Sequence, residues 1–352
     1  MTKVTQQDIA NALNISRITV SKALNGGSGV REESRRHILA KAQEMGYQLP
    51  AKVQEALGES SNAPSARKLI SLFTLSGGNT GSFWSKVVDG MVNVLVSQGY
   101  DMNICFLELK EHETVVLPGN FLPDLTDGIV TLGNFERGHI EKIKELGLPV
   151  VSVDTVTDAN EYRLMVDTIM LCNEQPITEI ASRLIRDGHR KIGYVGEKHT
   201  CRSFRERWLG FRRAMEKAEL PIDLAYCFIS EGSRSLTAEA IVEGIRKMEV
   251  YPTAFVCAND FAAVNVIQAL REKGLRVPDD IAVSGFDNVS EAQLLDITSV
   301  DSFKTELGMR AAEEIIWRIG HPERPYEMIR TPTRVVYRGS TNWTNKESED
   351  IT

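Results

Sequence analysis

From residue 68 to about residue 340, short apolar runs alternate with stretches of helical periodicity, and this alternation is what most narrows the possible folds. Runs at 69–74, 102–107, 128–131, 150–153, 191–195, 254–258 and 281–284 read as strands, and helical patterns such as 87–98 and 262–273 stand between them. Parallel neighbours in a sheet need a crossover of a dozen or more residues, usually a helix. Repeated strand–helix units therefore predict doubly wound parallel sheets. In such sheets ligands bind outside the carboxyl ends of the strands. The two clearest ends, at Ala258 and Ser284, run into polar loops.

A chain of 352 residues suits two or three domains rather than one. Its first 57 residues have a different pattern. Thr5 is placed to cap a helix, with Asp8 three residues on as in a capping box. Ile9, Ala10 and Leu13 share one face of that helix. Asn14 tolerates the left-handed backbone of a tight turn, and Ser16 is a second N-cap. The next helix, about 17–24, buries Val20, Ala23 and Leu24 and exposes Arg17, Ile18, Ser21 and Lys22. Two short helices about a three-residue turn describe a helix-turn-helix, or an ordinary helical hairpin. Net charge adds weak support. Residues 1–57 carry eight Lys/Arg against five Asp/Glu, a balance of +3 in a chain of net charge -7. A basic head on an acidic body places the attraction for phosphate at one end.

The wording of the segments goes further than their pattern. "VTQQDIANALNISRITVSKALNG" at 4–26 and "VREESRRHILAKAQEMGY" at 30–47 resemble the headpiece of the lactose-repressor/galactose-repressor (LacI/GalR) family of transcriptional regulators. Residues 50–57 stand where that family has its hinge helix. In the body, "RDGHRKIGYVG" (186–196), "RERWLGFRRAM" (205–215), "PTAFVCANDFAA" (252–263), "GLRVPDDIAVSGFDN" (274–288) and "ITSVDSFKTELG" (297–308) resemble, in the same order, the family's effector-binding core. The resemblance implies an all-α helix-turn-helix headpiece plus an α/β periplasmic-binding-protein-like core of two doubly wound parallel-sheet lobes. The expected divisions are a headpiece with hinge at 1–57, a linker at 58–67, a core at 68–340 and a polar tail at 341–352. Within the core, lobe 1 would take about 68–170 and 300–330, and lobe 2 about 171–299 and 331–340.

Residue roles follow from the same resemblance. Arg17, Ile18 and Lys22 fall where the recognition helix reads base edges in the major groove; arginine and lysine suit guanine O6/N7, and an apolar side chain suits a thymine methyl. Thr5, Ser16, Ser21, Asn25 and Arg31 fall at or near phosphate-contacting positions, which set register. Leu57 stands at the hinge leucine that wedges into the minor groove. The hinge departs from the family pattern, however: Ala51 replaces an Asn, Gln54 a small Ala, and Glu55 adds a negative charge.

For the effector, the resemblance selects Phe83, Trp84, Asp154, Arg207, Asn259 and Asp287. Carboxylates accept from hydroxyl pairs, arginine donates in a fork, and an aromatic face covers the apolar side of a sugar ring. Each has a plainer alternative: Asn259 or Asp260 as a helix cap, Asp287 as an acceptor for loop amides, Arg207 as a surface residue, and Phe83 and Trp84 as core. Arg234 stands where many sugar-responsive members have an aromatic, and Ser302 where many have a glutamine. The added guanidinium at Arg234 either favours an anionic ligand or points into solvent.

Other classes find little support. No G-x-x-x-x-G-K-[ST] loop, G-x-S-x-G elbow or metal-ligand cluster occurs, so neither an enzyme nor a cofactor is expected. Cys105, Cys172, Cys201, Cys227 and Cys257 form no C-x-x-C pair and read as reduced thiols. The first ten residues lack an apolar signal core, and no apolar run approaches the roughly 20 residues of a membrane span, so a cytoplasmic protein is expected. The tail has no leucine heptad, which predicts a homodimer reading a near-palindromic double-stranded operator. The expected function is a repressor of carbohydrate transport or catabolism genes under a sugar-like effector. Control by a phosphocarrier protein or by a purine-type corepressor is the alternative.

Overall fold

A computed structural model describes residues 4–24, 30, 32–45, 47, 68–75, 82–110, 114–155, 165–199, 201–230 and 236–342. The chain divides at Arg67/Lys68 into two compact units.

The first unit contains helices α1 (Gln6–Leu13), α2 (Arg17–Leu24) and α3 (Glu32–Glu44). The capping box at Thr5 forms: the Thr5 amide donates to Asp8 Oδ2 at 2.8 Å, and the Asp8 amide donates to Thr5 Oγ1. Hydrogen bonds donated by the Thr5 hydroxyl and the Thr5 amide hold the Asp8 carboxyl below the usual carboxylate range. Asn14 takes the left-handed conformation, with φ 54°, and ends α1. The Thr19 amide donates to Ser16 Oγ at the start of α2. Ile9, Val20, Leu24, Ile38, Leu39 and Ala42 form the small core that holds the three helices together.

In the second unit, strands and helices alternate as β1 (Lys68–Leu75), α4 (Ser82–Ser97), β2 (Tyr100–Lys110), β3 (Thr114–Val116), β4 (Thr126–Leu132), α5 (Arg137–Lys144), β5 (Val150–Val153) and β6 (Asp167–Leu171). They continue with α6 (Glu174–Arg186), β7 (Ile192–Glu197), α7 (Arg202–Lys217), β8 (Phe228–Ser230), α8 (Ala238–Arg246), β9 (Ala254–Cys257), α9 (Asp260–Glu272) and β10 (Ala282–Ser284). The last part holds α10 (Ser290–Leu294), β11 (Ser299–Asp301), α11 (Lys304–Gly320), β12 (Met328–Thr331) and β13 (Arg334–Val336).

One sheet has the order β12-β6-β5-β4-β1-β2-β3 and the other β10-β9-β7-β8. All pairings are parallel except β2 with β3, and β11 pairs antiparallel with β13 as a separate ribbon. Central strands are buried on both faces, as helix-covered parallel strands must be; β1 buries five consecutive residues, Ile70 to Thr74. The backbone passes between the sheets near 171–174, 301–304 and 331–334, so the first sheet recruits β12 only after the second is complete. The strands β3, β6, β8 and β12 of the two sheets, and β11 and β13 of the ribbon, lie outside the apolar runs read from the sequence; β8 and β12 are only half-buried, and their apolar signal is correspondingly weak.

Order also extends past the expected end of the core. Thr341, assigned to the tail, is buried, and its hydroxyl pairs with that of Thr298 at 2.7 Å.

Candidate functional sites: a recognition helix and an acidic cavity

On α2, Arg17, Ile18 and Lys22 are exposed, Ile18 to 69%. An apolar side chain that open on a small helical unit has no packing role there. Ser21, expected to be exposed, is half-buried. The end of α2 is fixed from α3, where Arg35 donates to the carbonyls of Lys22 and Ala23. A cation on the last carbonyls of a helix satisfies orphan acceptors and complements the dipole. Asn25, Arg31 and Leu57 lie outside the described residues, as do the hinge and linker.

In the second unit a cavity of about 660 Å³ opens at the carboxyl ends of strands from both sheets. Phe83 and Trp84, at the start of α4, line it edge to face, their ring centroids 4.8 Å apart. Asp154 follows β5, Arg207 projects from α7, Asn259 follows β9 and Asp287 lies beyond β10; all four line the same cavity. Arg234 lies outside the described residues. Ser302 is fully buried against the Asp287 carbonyl and is not among the lining side chains.

Arg207 is the centre of this arrangement and is only 5% exposed, so it is not a surface residue. Its Nε donates to Asn173 Oδ1 at 3.0 Å and its Nη1 to the Ala258 carbonyl at 2.8 Å. Nη2 lies 3.6 Å from Asp287 Oδ1, and the guanidinium stacks over Phe286 at 3.6 Å from the ring centroid. Backbone strain gathers at the same place. Asp154 has φ 65°, Asp287 104°, Asn288 50° and Phe303 44°. Such conformations cost about 1–3 kcal/mol each and persist where the surroundings over-determine them.

The carboxyl groups respond to their burial. Burial pushes Asp260 up to about 7, and the neighbouring Asp287 charge acts in the same direction; hydrogen bonds from Ser299 and the Val289 amide oppose both. Burial lifts Asp287 to about 6 against the pull of Arg207 and Lys304. Asp154 is raised for the same reason, although the Thr155 amide donates to it at 2.7 Å.

Asn259 does two things at once: its side chain accepts from the Ala262 amide and caps α9 while it lines the cavity.

Two sequence models match the chain. "Bacterial regulatory proteins, lacI family" covers residues 5–49, and "Periplasmic binding protein-like domain" covers 181–341. The first spans all three helices of the small unit, and the second runs from within α6 to the turn at Gly339–Thr341. The chain joins a lacI-family regulatory domain to a periplasmic-binding-protein-like domain. Among similar proteins, "Probable HTH-type transcriptional repressor ExuR" of Bacillus subtilis (strain 168) is 26% identical over 96% of this chain and 98% of its own length. "HTH-type transcriptional repressor PurR" of Vibrio parahaemolyticus serotype O3:K6 is 28% identical over 97% and 99%. The fold is shared with a transcriptional regulator CelR–cellobiose complex, at TM-score 0.65 and 21% identity over 96% of this chain and all of that one. It is shared also with a lac repressor dimer bound to operator and the anti-inducer ONPF, at TM-score 0.62 and 19% identity over 97% and 99%.

Several residues of this cavity are not among the sequence-selected candidates. Glu197, Cys201, Ser203, Phe204, Asp260 and Phe261 all line it. Glu197 is the last residue of β7 and directly follows the "RDGHRKIGYVG" segment, so the rule that ligands bind at strand ends would have found it. Asn173 carries no such signal. Its amide also donates to Glu206 Oε2, which accepts from Arg330 as well, while Arg202 donates to Glu206 Oε1. Burial alone would raise the Glu206 carboxyl, yet these bonds hold it below the usual range.

Proposed function

We propose that this chain is a homodimeric, sequence-specific LacI-family repressor whose grip on operator DNA is set by a small, polar, sugar-like effector in the cavity. The supporting observation is the fixed guanidinium of Arg207, buried and oriented on four sides in a cavity of about 660 Å³ among carboxylates and aromatic rings. A few converging polar groups on a largely preformed concave wall are what small-molecule sites require. Arg17, Ile18 and Lys22 serve as the base-reading surface, and Thr5, Ser16 and Ser21 as the backbone-contacting one. The chain acts by binding rather than by catalysis, in the cytoplasm. Among the described residues no helix is long and apolar enough to cross a membrane.

The same cavity suggests how occupancy is transmitted. Each passage of the backbone between the sheets is tied to it. Asn173 holds Arg207; Lys304 donates to the carbonyls of Asp287 and Asn288; Arg330 forks onto Glu206, one residue from Arg207. A ligand that bridges Asp154, which follows β5 of the first sheet, and the Arg207–Asp287 pair beside the second favours one arrangement of these passages. It shifts DNA affinity by its differential affinity for the two states and no more.

The test is fluorescence anisotropy of the full chain on an operator selected from genomic DNA, titrated with sugars, uronates and purines. A specific site should be bound at moderate salt, and at least one small molecule should change its affinity, an effect lost in Arg207→Ala. No preference over random DNA would refute the proposal. A response to a phosphocarrier protein and to none of the small molecules would transfer control to that partner.

A further inference from the structure

We infer that the effector carries a protonated amine alongside its hydroxyl groups. This rests on the cavity being the effector site and adds the charge class of its occupant.

Among the described residues the cavity wall holds one basic side chain, Arg207, against the carboxylates of Asp154, Glu197, Asp260, Asp287 and Glu291. Arg207 is already committed to Asn173, Ala258 and Asp287. Lys304 is turned to the backbone carbonyls of Asp287 and Asn288, and it also offsets Asp260 and Asp287. Asp260 is satisfied by Ser299 and the Val289 amide. Asp154 has the Thr155 amide and the Ser203 hydroxyl.

Glu197 differs from all of these. It is only 6% exposed; Oε1 accepts from the Leu236 amide at 3.0 Å, while Oε2 is buried with no hydrogen-bond partner. A buried carboxylate oxygen without a donor is costly to leave that way, so such a group marks a place where something else must supply one. Cys201 connects Glu197 to Asp154: the thiol, raised first by its own burial, is raised further by both carboxylates. Two acidic groups thus flank one stretch of wall; Arg207 offsets Asp154, whereas among the described residues no cationic side chain pairs with Glu197, and Phe83, Trp84 and Phe261 share the cavity with them. Carboxylates beside aromatic faces form the environment that stabilises an ammonium, by charge-assisted hydrogen bonds and by cation–π attraction.

Other charge classes fit less well. A neutral hydroxyl gives Glu197 Oε2 a donor but leaves the surplus charge. A carboxylate or phosphate ligand adds a like charge to a wall already negative, which disfavours the anionic-ligand alternative raised for Arg234.

The experiment is calorimetric titration of the full chain with D-glucosamine, D-galactosamine and D-mannosamine, each against its parent hexose and its uronate, repeated with Glu197→Gln. Glutamine keeps an oxygen for the Leu236 amide and replaces the charged, unpaired oxygen with a neutral NH2 group. At least one amine should bind about tenfold or more tighter than its hexose, equivalent to about 1.4 kcal/mol. In the variant that margin should collapse. Binding of hexoses or uronates as tight as the amines would overturn the inference yet leave a small-molecule sensor in place. An unchanged margin in Glu197→Gln would overturn the seat of the amine and with it the inference. Silence from all nine sugars would overturn the inference and count against the effector site itself.

Discussion

Arg17 is exposed on a helix whose buried face is already complete, so its replacement tests recognition separately from folding. Arg17→Ala should weaken operator binding by about 1–3 kcal/mol and relax preference at one base pair, as read from binding to a set of single-base operator variants. In the body, Asp260 is a residue whose charge opposes folding. Its carboxyl titrates near 7 in the folded chain against 3.8 when free, so the folded state holds more protons between those values. Stability from this group is complete below about pH 4 and falls as pH rises through about 7. His189 works the other way: burial lowers it to about 4 from 6.5, so its contribution is present above 6.5 and lost on acidification. The two offset each other in the wild type. Asp260→Asn should therefore gain stability relative to the wild type as pH rises from 4 to 7, measured by urea midpoints across that range. A difference independent of pH would show that Asp260 stays ionised.

Elements are held by close approaches that their sequences only hint at. Helices α4 and α11 meet at two glycines. A Cβ on Gly308 would lie 1.8 Å from the Val87 carbonyl oxygen, and one on Gly90 would lie 2.0 Å from that of Thr305. Neither glycine is needed for backbone freedom; each is needed for space. Gly308→Ala should cost about 1–3 kcal/mol or more through forced separation of the helices, seen as a lower denaturation midpoint. Since α11 begins at Lys304, beside the Asp287 loop, the same change should also weaken effector binding. In the small unit, α2 depends on capping at both ends, from Ser16 at its start and Arg35 at its close. Thr5→Ala should remove a cap worth about 1 kcal/mol and lower the melting point of that unit, with little effect on the body.

At the scale of the whole chain, the two units have separate hydrophobic cores, one of them only three helices in size. Scanning calorimetry should show a major transition that survives removal of residues 1–67 with its midpoint little changed. A large fall on removal would show that the body depends on the headpiece for stability. The main body cluster, by contrast, runs from strands of the first sheet through α6 and α7 to those of the second, including Val130, Ile180, Tyr194 and Val256. The body should therefore unfold in a single step despite its two sheets.

Local chemistry in the chain was enough to place the first two headpiece helices, because a capping box, a left-handed Asn14 and an N-cap at Ser16 each act within four residues; the third came from resemblance. Local chemistry was also enough for the parallel sheets, because strands buried on both faces must be continuously apolar. Asp154, Asn259 and Asp287 were legible as candidates through resemblance and through their places after strands, and Arg207, on helix α7, through resemblance alone. What no local pattern carries is the partner of each charge. Asn173 is 34 residues from the Arg207 that it orients, and Arg330 is 124 from Glu206. The orphaned oxygen of Glu197 exists only because the folded chain buries it and brings no donor to it. Whether a buried carboxylate is satisfied is decided by distances of about 3 Å between segments far apart in sequence, and only tertiary structure sets those.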